Sequence, residues 1–418
     1  MKVYLRTFGC RANHYDSEAV HAMVTSAGYE IVASPVDADA AVFNSCAVTS
    51  EAEAELRKAI RRAARERPAL KSVVMGCAAA IDDSHEPAKR IRQLPTVESI
   101  VPGADLVSVA AALGLPPSIA RTVPARQTST RALLRVQDGC DEHCTFCATT
   151  LARGANRSRP AADVIAEARI LAESHSEIVI TGIHIGSYGA EIGSSLGELL
   201  ERLVTAVPSA RVRLSSIEAT EIDSRLQRLV TDGAVVPHVH APLQSGSDRL
   251  LRRMGRHWYT SATYSAAIER LAARMSVLGL GADIITGFPG ETEADHATTV
   301  AMVGRLPFTY LHVFPYSPRP GTAAERLPDP VPPAVAASRA AELRALAGRK
   351  SAAYVESRIG GAADVVVVRG GEQREGLTGD YLTVLPSDAT VPRGARFAAR
   401  LALENVQENP RLVARPVA

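Results

Sequence analysis

Three cysteines lie within the short segment "CDEHCTFC": Cys140, Cys144 and Cys147. The chain has 418 residues and only six cysteines, so abundance does not explain this crowding. Thiolates so close together can bind zinc, form a redox centre or hold an iron–sulfur cluster. Zinc takes four ligands, and His143 could supply the fourth, whereas a cubane held by three thiolates keeps one iron with an open position. The residues leave these alternatives open, but "GCDEHC" is too polar for three merely packed thiols.

The other three cysteines are spread through the first part of the chain, about thirty residues apart: Cys10, Cys46 and Cys77. Each follows a candidate strand, and the carboxyl ends of parallel strands meet at one edge of a sheet. We therefore expect a parallel sheet to bring them together. Taken alone, three cysteines so far apart in the sequence are as compatible with the absence of a metal site as with its presence.

The composition of the chain limits where these cysteines function. The formal net charge is +2, so any contact with nucleic acid must use local patches of charge. The first residues, "MKVYLRTFGCRANHYD", lack a secretion leader, and no apolar run approaches the roughly 20 residues of a spanning helix. We expect a cytoplasmic protein without a membrane segment, in which cysteines favour metal or redox chemistry over disulfides.

Residues 1–115 alternate short strands with helices, and this pattern predicts a parallel-sheet βα domain. Its candidate strands are "KVYLRTF", "AVFNS" and "SVVMG". The clearest helix follows Ser50, which fits a capping box with Glu53. We interpret the basic face of this helix as solvated surface, the alternative being part of an RNA footprint; its members are Arg57, Lys58, Arg61, Arg62 and Arg65.

Residues 116–130, "PPSIARTVPARQTST", are predicted to form a linker. Residues 131–350 contain five or six βα repeats and predict a complete or partial (β/α) barrel with its function at the carboxyl ends of the strands. Its strand candidates are "EIVITGIH", "RVRLSS", "VVPHVHAPL", "GADIITGF" and "YLHVFPYS". Residues 351–418 lack helical periodicity and predict a small antiparallel β-barrel.

At this point a resemblance is evident, because "CDEHCTFC" is similar to the CxxxCxxC motif of radical S-adenosylmethionine (SAM) enzymes. Further segments resemble the methylthiotransferases within that superfamily: "ARGANRSR", "RLSSIEATEI", "HAPLQSGSDRLLRRM", "DIITGFPGET" and "LHVFPYSPRPGTAA". The resemblance covers nearly the entire chain, including a C-terminal segment similar to the RNA-binding TRAM domain. "TFGCRANHYDSEAV", "FNSCAVTSEAE" and "VVMGCAAA" resemble most the type that modifies threonylcarbamoyladenosine beside the tRNA anticodon.

The resemblance implies two 4Fe–4S clusters. One is held by Cys140, Cys144 and Cys147, binds SAM at its open iron and generates a 5′-deoxyadenosyl radical. The other, auxiliary cluster is held by the first three cysteines and delivers sulfur to carbon 2 of the adenine. An electron donor such as flavodoxin or ferredoxin is also implied, while the sulfur source and the particular tRNAs are not identified.

The resemblance also implies SAM contacts after the barrel strands, at Gly182, Gly186, Glu218, Gln244 and Ser245. The two glycines permit close backbone approach to a ligand. Each of these segments, read alone, is equally compatible with a turn after a buried strand.

The arginine-rich segment "ARGANRSRP" follows the cysteine motif, and its Arg153, Arg157 and Arg159 are substrate candidates. Arginine suits phosphate or the carboxylate of a threonylcarbamoyl group, and a solvated loop is the alternative. Four histidines near strand ends lack the paired spacing of metal sites, so hydrogen bonding or packing is favoured for them: His184, His238, His240 and His312.

The chain departs from the family pattern at "CATTLARG" and "CAAA", which leaves the substrate open more than the clusters. Methylthiolation of isopentenyladenosine in tRNA or of a ribosomal protein is the sibling hypothesis. A noncatalytic iron–sulfur protein that binds RNA and senses redox state is the alternative from another class.

Overall fold

The structure is a computed structural model that describes residues 1–46, 50–84, 89–121, 126–406 and 409–417. The strands are β1 Lys2–Phe8, β2 Glu30–Val32, β3 Ala40–Ser45, β4 Lys71–Gly76, β5 Val97–Pro102, β6 Ala132–Arg135, β7 Gln137–Asp138, β8 Arg157–Ser158, β9 Glu177–Thr181, β10 Arg211–Leu214, β11 His238–His240, β12 Gly279–Thr286, β13 Tyr310–Pro315, β14 Ala362–Arg369, β15 Glu375–Thr378, β16 Thr383–Pro386, β17 Arg396–Val406 and β18 Asn409–Pro416. The α-helices are α1 Arg11–Ser26, α2 Ser50–Glu66, α3 Cys77–Ser84, α4 Lys89–Arg92, α5 Leu106–Ala112, α6 Thr149–Arg153, α7 Ala161–Ala172, α8 Leu196–Ala206, α9 Ser224–Thr231, α10 Asp248–Arg253, α11 Ser261–Ala272, α12 Glu293–Arg305 and α13 Pro333–Arg358. Within these described ranges, no helix has both the length and the apolar character needed to cross a bilayer.

The N-terminal region is a parallel sheet of five strands in the order β2-β1-β3-β4-β5, as predicted. Its central strand β3 is buried at every position, because helices cover both faces. Helix α2 packs Leu56 and Ile60 against one face, and α1 packs Val20 and Met23 against the other. The predicted capping box at Ser50 lies outside the residues whose side chains are described.

The central region is the predicted partial barrel. Strands β10-β9-β6 and β11-β12-β13 form two parallel three-stranded sheets. Parallel bridges from Val212 to Val235 and from Ser216 to His240 join them edge to edge. The six strands therefore follow one another in chain order, and their carboxyl ends open toward one side. The large apolar core of the molecule fills the space between these strands and the surrounding helices.

The C-terminal region closes into a barrel of five strands in the order β14-β15-β16-β18-β17. The predicted antiparallel barrel needs one correction, because β16 and β18 run parallel. A closed ring with an odd number of strands cannot alternate direction throughout, so one neighbouring pair must be parallel. Helix α13 is continuous across residue 350, the predicted boundary between the last two domains.

Candidate active site

The N-terminal cysteines meet at one edge of the first sheet. Cys10 follows β1, Cys46 follows β3 and Cys77 begins α3 directly after β4, and these strands are hydrogen-bonded neighbours. The Cys46 side chain contacts both of the other thiols. Gly9 has a φ of 139°, and a Cβ there would overlap the Cys46 side chain, so the approach of the two segments requires glycine. We call these three residues the sheet triad.

Protons are shared unevenly within the sheet triad. Hydrogen bonding to Cys46 lowers the pKa of Cys10 to about 6 and that of Cys77 to about 7. The same two contacts, together with burial, raise the pKa of Cys46. The group therefore carries thiolate character at neutral pH, which is the form that binds soft metals.

The other cysteines occupy the loop between β7 and α6, and we call Cys140, Cys144 and Cys147 the loop triad. The backbone N–H of Cys140 donates to the Gly154 carbonyl at 3.0 Å, and that of Cys147 donates to the Cys144 carbonyl at 3.1 Å. Burial raises the pKa of Cys144 to about 12, although Arg256 opposes this. Burial raises the pKa of Cys147 as well, so these two thiols hold their protons without added positive charge and a bound metal would have to displace them.

The two triads are adjacent. Cys77 packs in one apolar cluster with Ala148, the residue after Cys147. Arg153 of α6 donates from Nε to the Cys77 sulfur at 3.2 Å and pairs with Asp16 of α1 at 2.7 Å. Burial alone would lower the pKa of Arg153, but the Asp16 carboxylate and the Cys77 sulfur raise it. A permanently charged guanidinium therefore joins the helix after the loop triad to the sheet triad.

The spacing of the thiols bears on the choice of metal. Four ligands at about 2.3 Å from one zinc ion lie roughly 3.8 Å from one another. Among the described residues, the only group of three or more His, Cys, Asp or Glu whose ligand atoms all lie within 4.8 Å of one another is His240, Asp283 and His312. In neither triad do all three sulfur atoms lie within that distance of one another, although Cys46 contacts both partners in the sheet triad, and all six thiols are free of disulfides. A set of three thiolates suits an iron–sulfur cluster, which keeps one iron with an open position.

Glu218 lies beside the loop triad through an arginine that the sequence did not indicate. Arg256 donates to both carboxylate oxygens of Glu218 at 2.5 Å, and its other nitrogen approaches the Cys144 sulfur at 3.5 Å. The guanidinium also lies over the rings of Trp258 and Tyr259, with 4.7 and 5.0 Å to their centroids. The carboxylate is thus oriented next to the cysteine loop, where it could receive the amino group of a bound amino-acid moiety.

The remaining predicted SAM residues have different environments. A Cβ on Gly182 would lie 2.9 Å from Gln137, and one on Gly186 would overlap Glu221, so the chain's own side chains already explain both glycines. Gln244 has a φ of 64°, a strained left-handed conformation that clusters at functional sites. Ser245 is buried and bonded to the Ser247 N–H at 3.1 Å.

The predicted substrate arginines are engaged within the protein. Arg153 is held as described above, and Arg159 pairs with Glu167 at 2.7 Å. Arg157 is exposed and donates to the Arg153 carbonyl at 3.0 Å. The cluster lies where α1 of the N-terminal domain meets the barrel.

The histidines form hydrogen bonds, as expected. His240 and His312 both bond to Oδ1 of Asp283, at 3.0 and 3.1 Å, and Tyr310 joins His240 to His238. These hydrogen bonds occupy ligand atoms of His240, Asp283 and His312, which are close enough together to bind a cation. Asp283 was not among the site residues predicted from the sequence. The feature that marks it is a carboxylate within the apolar strand "GADIITGF". Separately, His184 lies 3.8 Å from the Cys140 sulfur and pairs with Glu221.

Comparisons with known proteins agree with this geometry. The Radical SAM superfamily matches residues 134–303, so the partial barrel and its cysteine loop define the class as a radical SAM enzyme. Residues 2–101 match an uncharacterized family, UPF0004. A radical SAM methyltransferase from Kitasatospora setae, TsrM, shares the fold with a TM-score of 0.58 at 14% identity, covering 78% of this chain and 75% of that one.

Curated relatives are more specific. The threonylcarbamoyladenosine tRNA methylthiotransferase MtaB of Bacillus subtilis is 34% identical over 92% of this chain and 90% of its own length. A tRNA-2-methylthio-N(6)-dimethylallyladenosine synthase of Parafrankia sp. is 36% identical over 90% of this chain and 79% of its own. The chain belongs to the radical SAM tRNA methylthiotransferase family. Membership implies a 4Fe–4S cluster, SAM and a tRNA substrate.

Proposed function

We propose that this enzyme methylthiolates carbon 2 of N6-threonylcarbamoyladenosine in tRNA, using two 4Fe–4S clusters and two SAM molecules. The observation that carries the proposal is the pair of separate cysteine triads, held side by side by Arg153. Cys140, Cys144 and Cys147 would hold one cluster, which would supply the one-electron reduction that SAM cleavage needs, and Cys10, Cys46 and Cys77 would hold the other, which would supply sulfur.

The chain's own residues hold and orient these reactants. Each triad gives three thiolates and leaves a fourth position for a ligand, which a noncatalytic electron carrier would not need. Glu218, oriented by Arg256, binds the amino group of SAM, and the turn at Gln244 and Ser245 borders its other polar groups. Gly182 and Gly186 act indirectly, because their small size leaves room for two side chains. Gln137 donates to the Gly139 carbonyl, directly before Cys140, and Glu221 pairs with His184, which lies 3.8 Å from the Cys140 sulfur.

We propose threonylcarbamoyladenosine as the substrate nucleoside because of the names of the relatives and the motifs of the N-terminal sequence. Relatives named as acting on threonylcarbamoyladenosine come from Bacillus subtilis and Thermotoga maritima, at 34% and 35% identity. Relatives named as acting on dimethylallyladenosine reach 36%, so that nucleoside is the second candidate. We further propose a cytoplasmic location and a flavodoxin or ferredoxin as electron donor, since the reaction needs a low-potential one-electron reductant.

Mass spectrometry of tRNA nucleosides from a deletion strain tests the substrate. The methylthio form of threonylcarbamoyladenosine should disappear, its unmethylthiolated precursor should accumulate, and complementation with the wild-type gene should restore the product. Loss of the methylthio form of dimethylallyladenosine instead would establish the second candidate as the substrate. A nucleoside profile identical to that of the parent strain would reject both.

A further inference from the structure

A loop after the last barrel strand lies between the two cysteine triads. It follows β13 and contains Arg319. On one side, Ala324 donates its backbone N–H to the carbonyl of Thr145, within the cysteine loop, at 2.8 Å. On the other side, the Arg319 guanidinium lies within electrostatic range of Cys46 and Glu53 of the N-terminal domain. The loop therefore borders the space in which reactants of both triads must meet.

Arg319 is a buried cation that has no ion-pair partner among the residues that the structure describes. The residue is only 6% exposed, and its Nε has no hydrogen-bond acceptor in the part of the chain that the structure describes. Within the same described residues, no carboxylate lies within 4.0 Å of the guanidinium. The nearby Tyr316 hydroxyl is likewise buried without a hydrogen-bond partner. Burial of an unpaired charge is costly, so a buried arginine normally faces an anion.

Other buried arginines around the two triads already have such an anion. Arg153 is paired with Asp16, and Arg256 with Glu218. Arg319 differs because burial lowers its pKa and the neighbouring Glu53 only partly opposes this. Its backbone is also fixed, since both the N–H and the hydroxyl of Thr322 donate to the Arg319 carbonyl. The backbone from which the side chain extends is thus fixed, and Nε has no acceptor among the residues that the structure describes.

We propose that Arg319 and Tyr316 form a carboxylate-binding site that receives the threonylcarbamoyl carboxylate of the substrate. The inference rests on the proposed function and assigns the residues that recognise that substrate. A guanidinium binds a carboxylate through two parallel hydrogen bonds, and the phenol supplies a third donor. A phosphate of the RNA backbone cannot easily enter so buried a site, whereas a group on an extruded base can. Binding here directs the attached adenine toward the space between the triads.

A chemical double-mutant cycle tests the site. Anaerobic, cluster-loaded protein is titrated with a synthetic anticodon stem-loop carrying threonylcarbamoyladenosine, and with the same RNA whose carboxylate is a methyl ester. Wild-type protein should bind the acid about 10- to 100-fold more tightly than the ester, because a buried hydrogen bond to a charged group is lost. Arg319→Gln should bind both forms alike. Arg319→Lys should restore part of the preference, since lysine keeps the positive charge but cannot form the two parallel hydrogen bonds of a guanidinium.

Matched variants keep the test interpretable. Arg326→Gln removes an exposed arginine from the same segment and should retain the wild-type ratio of acid to ester. Tyr316→Phe should weaken the acid alone, by less than Arg319→Gln. Iron content and thermal unfolding identify any variant that does not fold. If Arg319→Gln does not fold, the binding of acid and ester is compared in Arg319→Lys and Tyr316→Phe instead.

Four results would overturn the inference. Arg319→Gln with an unchanged ratio would show that the site does not read the carboxylate. Equal weakening of all stem-loops, with a reduced salt dependence, would assign Arg319 to phosphate. Weaker SAM binding without any change in RNA binding would assign it to the SAM carboxylate. Wild-type protein that binds unmodified adenosine as tightly would reject the proposed substrate, and this inference with it.

Discussion

At the scale of single residues, the two triads differ in electrostatics although their ligands are identical. Mutual hydrogen bonds lower the pKa values of Cys10 and Cys77 in the sheet triad, whereas burial raises those of Cys144 and Cys147 in the loop triad. The contrast follows from spacing, because thiols in contact share protons and isolated buried thiols retain them. We therefore expect the sheet triad to take up metal at lower pH than the loop triad during reconstitution.

Single cysteine variants separate the two sites. Cys144→Ala should reduce iron from about eight to about four per chain and abolish SAM cleavage, because only the sheet triad remains complete. Cys46→Ala should reduce iron equally but keep formation of 5′-deoxyadenosine, while methylthiolation fails. Iron analysis and chromatography of SAM products after anaerobic reduction provide the measurements. Loss of all iron in both variants would contradict independent sites.

At the scale of elements, each triad begins where a strand ends, so backbone geometry at these junctions determines ligand positions. The loop triad depends on the β7–β8 hairpin, whose strands pair Gln137 with Ser158 and Asp138 with Arg157. Gly139 leads from this hairpin into the loop with a φ of 73°. A Cβ there would overlap the carbonyl of Ala155, so both conformation and space require glycine.

Gly139→Ala is expected to displace the cysteine loop. The clash is with backbone, which cannot move aside as a flexible side chain can, so the loop triad should lose its iron while the sheet triad keeps its own. Iron content should fall toward that of Cys144→Ala, with unchanged far-ultraviolet circular dichroism. Gly193→Ala is a suitable control, because its φ of 68° is similarly strained but its Cβ would meet open space. Equal iron loss in both variants would contradict the steric explanation.

At the scale of the whole molecule, a buried ionic network docks the C-terminal barrel onto the amino ends of the radical SAM strands. Glu177 of β9 accepts hydrogen bonds from Arg211 and Arg213 of β10. Arg213 also donates at 2.9 Å to the carbonyls of Thr378, the last residue of β15, and Gly379, in the turn that follows. The C-terminal barrel therefore contacts the amino ends of these strands, opposite the cysteine edge of the partial barrel.

Glu177→Gln should destabilise the protein by about 3–5 kcal/mol at pH 7, because it leaves buried arginines facing one another without a counter-charge. Burial alone would raise the pKa of Glu177, but Arg213 and Arg211 lower it from 4.5 to about 2. The carboxylate thus stabilises the fold above about pH 4.5, and this contribution is lost as pH falls toward 2. Urea unfolding at several pH values provides the measurement.

The exposed pair of Glu201 with Arg225 supplies the control for that experiment. Glu201→Gln should change stability by less than about 1 kcal/mol, since solvent screens an exposed ion pair. If the deficit of Glu177→Gln were no larger, or if it grew on acidification, the network would not hold the domains together in the way described.

The sequence by itself determined the class of chemistry and the order of the elements. Thiol spacing in "CDEHCTFC" and the alternation of strands and helices are local patterns, so they predicted the loop triad and the partial barrel. The strand ends also predicted that Cys10, Cys46 and Cys77 would share a sheet edge, which the structure confirms. Closure of the small barrel was predicted, but its single parallel pair follows from the strand count, which short β-segments did not reveal.

Only the tertiary structure decided which charges find partners. Neither Arg153 nor Arg319 has a sequence neighbour that reveals its partner, yet one is paired with Asp16 and the other has no carboxylate beside it among the described residues. Pairing depends on which elements meet: α1 brings Asp16 to the barrel, while the loop after β13 meets a sheet edge of thiols. Separations of more than a hundred residues carry no local pattern, so folding alone sets these contacts.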